Sequence, residues 1–178
     1  MVLKTHQDYN HSRTFRYDLF LVDAGGKEPI RLLLGKGQIP NDRASQSPDH
    51  NTLVIGQWES LSIVNGFKDE GTGLLLYAVP RNSLTPLGLD SGYPKHPAVA
   101  PVGKGIAFAA NRDGNWNLYL RENGTTKQLT SDLAHELYPA WSPNGDKLAF
   151  VSTRSGTEEI WLLELSSDNV KQLTGLDS

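Results

Sequence analysis

Five histidines, two pairs of adjacent carboxylates and two arginines at matching positions make up most of the side chains here that could do chemistry. The histidines are His6, His11, His50, His96 and His135. His96 and His135 precede two similar apolar segments, and two imidazoles at matching places could share a metal. Their local positions differ by three residues within those segments, which favours a structural or solvent role. Asp69-Glu70 and Glu158-Glu159 could form an acid–base pair for glycoside cleavage. Neighbours on extended chain point to opposite sides, so solvated loops are the better assignment. Arg112 and Arg154 recur at one place in the two segments. A repeated Arg at a strand end more often pairs with a loop carboxylate or carbonyl than binds a ligand. The sequons Asn10-His-Ser12 and Asn123-Gly-Thr125 both sit in turn-like sequence, where a structural reading prevails. No Gly-x-Ser-x-Gly elbow and no cysteine is present. The expectation is no catalytic residue, no cofactor and no metal site.

The elements that position these residues are repeated. Pro139-Ala-Trp-Ser-Pro-Asn-Gly-Asp-Lys-Leu-Ala-Phe-Val-Ser-Thr-Arg-Ser-Gly-Thr-Glu-Glu-Ile-Trp161 is followed by Gln172-Leu-Thr174. An earlier copy runs from Pro97 to Tyr119 and is followed by Gln128-Leu-Thr130. Pro97 and Pro139, Arg112 and Arg154, Gly114 and Gly156, and Tyr119 and Trp161 are each 42 residues apart. A period of about 40–45 with short strands and turn residues marks a β-propeller blade.

Older copies precede these. One runs through Ala44–Asp49, Thr52–Ile55, Leu74–Tyr77 and Leu84-Thr85, with Tyr77 matched to Tyr119 and 11 extra residues before it. The first lacks any counterpart of the opening strand. The chain therefore reads as all-β, with three full blades of four antiparallel strands plus three strands of another, in an incomplete or open ring. The expected divisions are 1–35 for the incomplete blade, 36–88 with an insertion at 58–72, 89–131 and 132–178. The missing strand also suggests the tail of a longer propeller.

Within a blade, strand A carries the Pro-Ala-Trp-Ser-Pro stretch and ends at Asn144-Gly145, a strong hairpin signal. Strand B spans 147–153. Ile106, Phe108, Leu148 and Phe150 share one face, and Ala107, Ala109, Ala149 and Val151 the other. Both faces are apolar, as burial between two neighbouring blades requires. Asn123-Gly124 and Gly25-Gly26 mark the turn from strand C to strand D.

The string from Pro139 to Thr174 resembles the repeat of TolB-like (WD-type) β-propellers. The resemblance is strong over 139–174, good over the copy before it, where Val99-Ala100 replaces Trp-Ser, and weak over the first 40 residues. It implies a propeller that binds a protein partner, which in TolB is a periplasmic role. The same repeat occurs in propellers attached to prolyl-oligopeptidase-type peptidases. Ser47-Pro48-Asp49-His50 resembles a sialidase Asp box in part but lacks the Gly and Trp, and reads better as an A-to-B turn.

Composition sets bounds. A hydrophobic content of 38% and a net charge of −3 describe a globular chain with no basic run suited to nucleic acid. No apolar run reaches the ~18 residues needed to cross a membrane, so direct membrane insertion is not expected. Met1–Asp8 is not a signal peptide. A complete chain would stay in the cytoplasm, and a piece of a TolB-like protein would belong to the periplasm.

In a propeller, the D-to-A and B-to-C loops emerge together on one face. Here they are the longer set, and they carry Trp58, Phe67, Tyr93, His96, Asp113, Trp116, His135 and Tyr138. Aromatic area mixed with polar groups suits recognition. The favoured function is a non-catalytic scaffold that binds a protein or peptide on that face. The alternative is the propeller portion of an enzyme, peptidase-like or sugar-active, whose catalytic part lies elsewhere. Open blade ends also suggest a homodimer.

Overall fold

Turn chemistry and strand alternation divide the described residues into four antiparallel sheets in the computed structural model. It describes residues 44–56, 73–81, 83–89, 92–103, 105–112 and 114–175 with side chains, and the backbone alone at 2–6, 16–21, 30–32, 38–43 and 57–59. The first sheet holds β1 (Val2–His6), β2 (Arg16–Leu21) and β3 (Ile30–Leu32). The second holds β4 (Gln38–Gln46), β5 (Thr52–Glu59), β6 (Gly73–Ala78) and β7 (Ser83–Pro86), with a 3-10 turn at Val79–Arg81. The third holds β8 (Lys95–Val99), β9 (Ile106–Asn111), β10 (Trp116–Glu122) and β11 (Thr125–Gln128). The fourth holds β12 (Glu136–Trp141), β13 (Lys147–Ser152), β14 (Glu159–Glu164) and β15 (Asn169–Gln172). Each sheet pairs its strands in chain order, as propeller blades do. This is the expected all-β architecture, an incomplete propeller. Among the described residues no helix is long and apolar enough to cross a membrane.

Strand B packs blade on blade. On β9, Phe108 and Ala110 cluster with Val54 and Leu74 of the preceding sheet. Its other face, Ala107 and Ala109, clusters with Leu148 and Phe150 of the next. Small residues on one side and large ones on the other let adjacent sheets close without voids. β13 departs from the two-faced expectation. Leu148, Phe150 and Ser152 are buried, whereas Ala149 and Val151 are only half-buried. Among the described residues, no further sheet covers that side.

The recurring polar residues are explained by the sheet ladders. Leu118 N–H donates to Thr130 Oγ1 and Ile160 N–H to Thr174 Oγ1, each at 2.9 Å. The hydroxyl thus extends the strand C ladder by one bond after strand D ends. Gln128 Nε2 reaches Thr130 O at 2.8 Å, and Gln172 Nε2 reaches Thr174 O at 2.7 Å. Thr130 is 7% exposed, so Thr130→Val strands a buried N–H. The expected loss is about 1–3 kcal/mol by urea unfolding, with Thr130→Ser close to the parent.

Two turns with similar sequences differ in type. Asn123 (φ 49°) and Gly124 (φ 79°) join Glu122 to Thr125 in a two-residue type I′ hairpin. At Asn144-Gly145, only Gly145 has a positive φ (70°), and its N–H donates to Ser142 O at 2.9 Å. Pro143 at the second position favours a type I turn instead. Ser47-Pro48-Asp49-His50 is likewise an A-to-B turn, closed by His50 N–H to Ser47 O at 2.9 Å.

Strand register corrects the older copy. Leu75 faces Pro86 as Tyr119 faces Gln128 and Trp161 faces Gln172. Leu75, and not Tyr77, is therefore the counterpart of Tyr119. Leu87-Gly88, and not Leu84-Thr85, follows strand D there. Thr52 is bonded to Ser47 as Lys147 is to Ser142. The extra length before strand C is accordingly shorter by two residues than Tyr77 suggested. Tyr77 misleads because burial against Leu53 and Ile55 selects for a large apolar residue at that place too. Trp58 lies on β5, opposite Ile39, and not in a loop.

Candidate binding face

A repeated β-bulge brings the aromatic residues together. Strand A is irregular between Pro40 and Ala44, between Lys95 and Ala98, and between Leu137 and Ala140. A bulge inserts a residue and re-aims its side chain. In the last two strands that residue is His96 (φ 51°) and Tyr138 (φ 57°), each followed by Pro. Their rings stack across the two blades with centroids 3.9 Å apart. His96 is 6% exposed and Tyr138 37%, so the tyrosine covers the histidine and shows its ring to solvent. Tyr93 (φ 48°) is 45% exposed in the loop just before. Left-handed backbone at a large side chain is sterically unfavourable, and such residues cluster at functional sites.

Other groups complete this face. Lys95 Nζ sits 3.6 Å from the Trp116 ring centroid, a cation–π contact not foreseen in the sequence. Trp116 N–H donates to His135 Nδ1 at 3.3 Å, and His135 N–H to Thr153 Oγ1 at 3.0 Å. The two histidines once considered for a shared metal are thus engaged separately, one in a ring stack and the other in a backbone bond. Tyr93, His96, Trp116, His135 and Tyr138 all lie on the D-to-A and B-to-C side. Phe67, Asp113 and the side chain of Trp58 lie outside the described residues, as does most of the 58–72 segment.

The repeated arginines turn out unalike. Arg154 donates to the carboxylate of Glu136, which is fully buried, and its Nε reaches Ser152 Oγ at 3.2 Å. Its guanidinium also lies 4.9 Å from the Trp161 ring. Burial raises the Glu136 carboxyl above its ordinary value, outweighing the Thr130 hydrogen bond and the Arg154 charge. Asp132 adds to the rise. Arg112 lies 4.5 Å from the Tyr119 ring but is exposed. Glu136 had no sequence signal as a pairing residue, since the earlier copy has Pro94 in its place.

A groove of about 850 Å³ runs along the inner strands β4, β8 and β12 toward the opposite, A-to-B end. Proline, alanine and serine dominate its wall, and Trp141 Nε1 already donates to Ala98 O at 2.9 Å. Its serine hydroxyls are engaged by backbone amides, Ser45 Oγ accepting from Val99 N–H, Ser47 Oγ from Thr52 N–H and Ser142 Oγ from Lys147 N–H.

The fold recurs widely. TolB from Acinetobacter baumannii superposes with a TM-score of 0.72 at 21% identity, over 90% of this chain and 38% of that one. A structure assigned to TolB from Agrobacterium tumefaciens gives 0.72 at 22%, over 90% and 55%. Oligogalacturonate lyase from Vibrio parahaemolyticus gives 0.64 at 16%, over 88% and 47%. The chain thus spans between about two fifths and just over half of the TolB structures it matches. Among curated proteins, none is significantly similar in sequence. The profile of the TolB beta propeller domain matches residues 6–178, which is nearly the whole chain, and the protein belongs to that family.

Proposed function

We propose that this chain is a non-catalytic propeller scaffold that binds a protein or peptide through Tyr93, Trp116, His135 and Tyr138, with buried His96 supporting the Tyr138 ring from beneath. The observation that carries the reading is the His96–Tyr138 stack, built from two left-handed residues in adjacent blades. Rigid aromatics presented at low entropic cost are frequent anchors of protein interfaces. A periplasmic setting, implied by the resemblance to TolB, belongs to this reading.

A photo-crosslinking amino acid at Tyr138 tests it. The expected result is one predominant protein adduct in native extract, absent when the crosslinker replaces Asn123 at the opposite end. Equal labelling at both positions, or none at Tyr138, overturns the proposal.

The proposal extends to the exposed side of the fourth sheet. Ile160 is 43% exposed there, beside half-buried Ala149, Val151 and Leu162. We assign that face to a second copy of the chain. Light scattering at tens of micromolar should report a dimer, and a stable monomer removes this part.

A further inference from the structure

We propose that Arg112 is a carboxylate-binding site, opened by the loss of an internal counter-ion that the next blade keeps. It narrows the reading above and rests on it only for the source of the carboxylate, a Glu, Asp or free C-terminus of a peptide segment.

The argument comes from strict register between two blades. Leu137 pairs with Val151 and Ala140 with Ala149, as Lys95 pairs with Ala109 and Ala98 with Ala107. Glu136 pairs with Ser152 in the same ladder, so its counterpart is Pro94 and that of Ser152 is Ala110. Both polar partners of Arg154 are therefore apolar in the earlier blade. Yet the arginine is held in the same way. Its guanidinium lies over Tyr119 at 4.5 Å, where Arg154 lies over Trp161 at 4.9 Å. Its stem runs across Gly92 (φ 96°), where an added Cβ would come within 2.5 Å of Arg112 Cγ. Asn111 N–H fixes that glycine through a 2.6 Å bond to its carbonyl.

Among the described residues, Arg112 has no carboxylate or hydrogen-bonding partner. A positioned, exposed guanidinium binds carboxylates through two parallel hydrogen bonds. In the neighbouring blade the corresponding arginine, Arg154, already pairs with a carboxylate, that of Glu136. Arg112 adjoins Gly92 and hence the Tyr93 loop, so an acidic residue could bind while its neighbours contact the aromatic face.

The test uses the intact ¹⁵N-labelled chain at low salt and follows the Arg112 Nε–Hε signal, assigned by its loss in Arg112→Gln. The probes are acetyl-Ala-Glu-Ala-amide, its Gln analogue and sodium acetate. The Glu peptide should shift the signal saturably, the Gln peptide should leave it in place, and acetate should act at higher concentration. Pro94→Glu should move the signal without any probe and weaken the peptide by at least about tenfold, which is roughly 1.4 kcal/mol. Arg112→Lys, which keeps the charge without the fork, should bind more weakly by amide shifts of Gly92 and Tyr93.

Equal response to the Glu and Gln peptides, or amide shifts unchanged in Arg112→Gln, overturns the site. Acetate binding as tightly as the peptide overturns the peptide source. Crosslinking at Tyr138 with a silent Arg112 sinks only this inference. An Arg112 response without crosslinking sinks only the wider reading.

Discussion

Phe150→Ala is expected to destabilise the chain by about 3–5 kcal/mol. Phe150 is 2% exposed and fills the space between the third and fourth sheets, clustered with Ala107, Ala109, Leu118 and Leu163. The alanines opposite cannot expand into the void, so a cavity remains and adds to the lost transfer free energy. The guanidinium of Arg154, 5.7 Å from the ring, also loses part of its support. Urea unfolding measures the effect. A loss under about 1 kcal/mol would show that the two sheets do not depend on this side chain.

Arg154→Met should cost a similar amount, about 3–5 kcal/mol at neutral pH, because it leaves the fully buried Glu136 carboxylate without its cation. Adding Glu136→Leu should restore most of the loss, since an apolar pair in place of a buried ion pair is often neutral. The pH dependence has a definite sign. Burial holds the Glu136 carboxyl above its ordinary value, so the folded chain binds this proton more tightly than the unfolded chain. The stability from that proton is complete below the ordinary carboxylate range and declines as pH rises through the raised value. Arg154→Met should steepen the decline, and Glu136→Gln should abolish it. Urea midpoints between roughly pH 4 and 7 distinguish these results. A Glu136→Gln variant with the parent slope would mean that another group carries it.

Blade architecture was legible in the residues themselves because propeller repeats are local. Each turn needs its own Gly, Asn or Pro, and each strand B needs alternation on both faces. The type I′ hairpin at Asn123-Gly124, strand C at Glu159–Glu164 and the facing of Phe108 and Phe150 all follow from neighbours in sequence. Register over long loops was not legible. Tyr77 and Leu84-Thr85 imitate the repeat by composition, and only the hydrogen-bond ladder shows Leu75 and Leu87-Gly88 in those places. The aromatic face proposed for binding was half legible. Loop direction grouped Tyr93, His96, Trp116, His135 and Tyr138, but the offset of 42 that links His96 to Tyr138 carries no sign of a ring stack. That contact depends on two bulges in adjacent sheets, which no single strand specifies. The two arginines make the same point. Their repetition was plain in the sequence, whereas the carboxylate that neutralises Arg154 comes from a different strand, and its replacement by Pro94 beside Arg112 acquires meaning only once the sheets are in register. Turns and alternation are short-range properties of a chain, while pairing of charges and rings across blades is decided by packing.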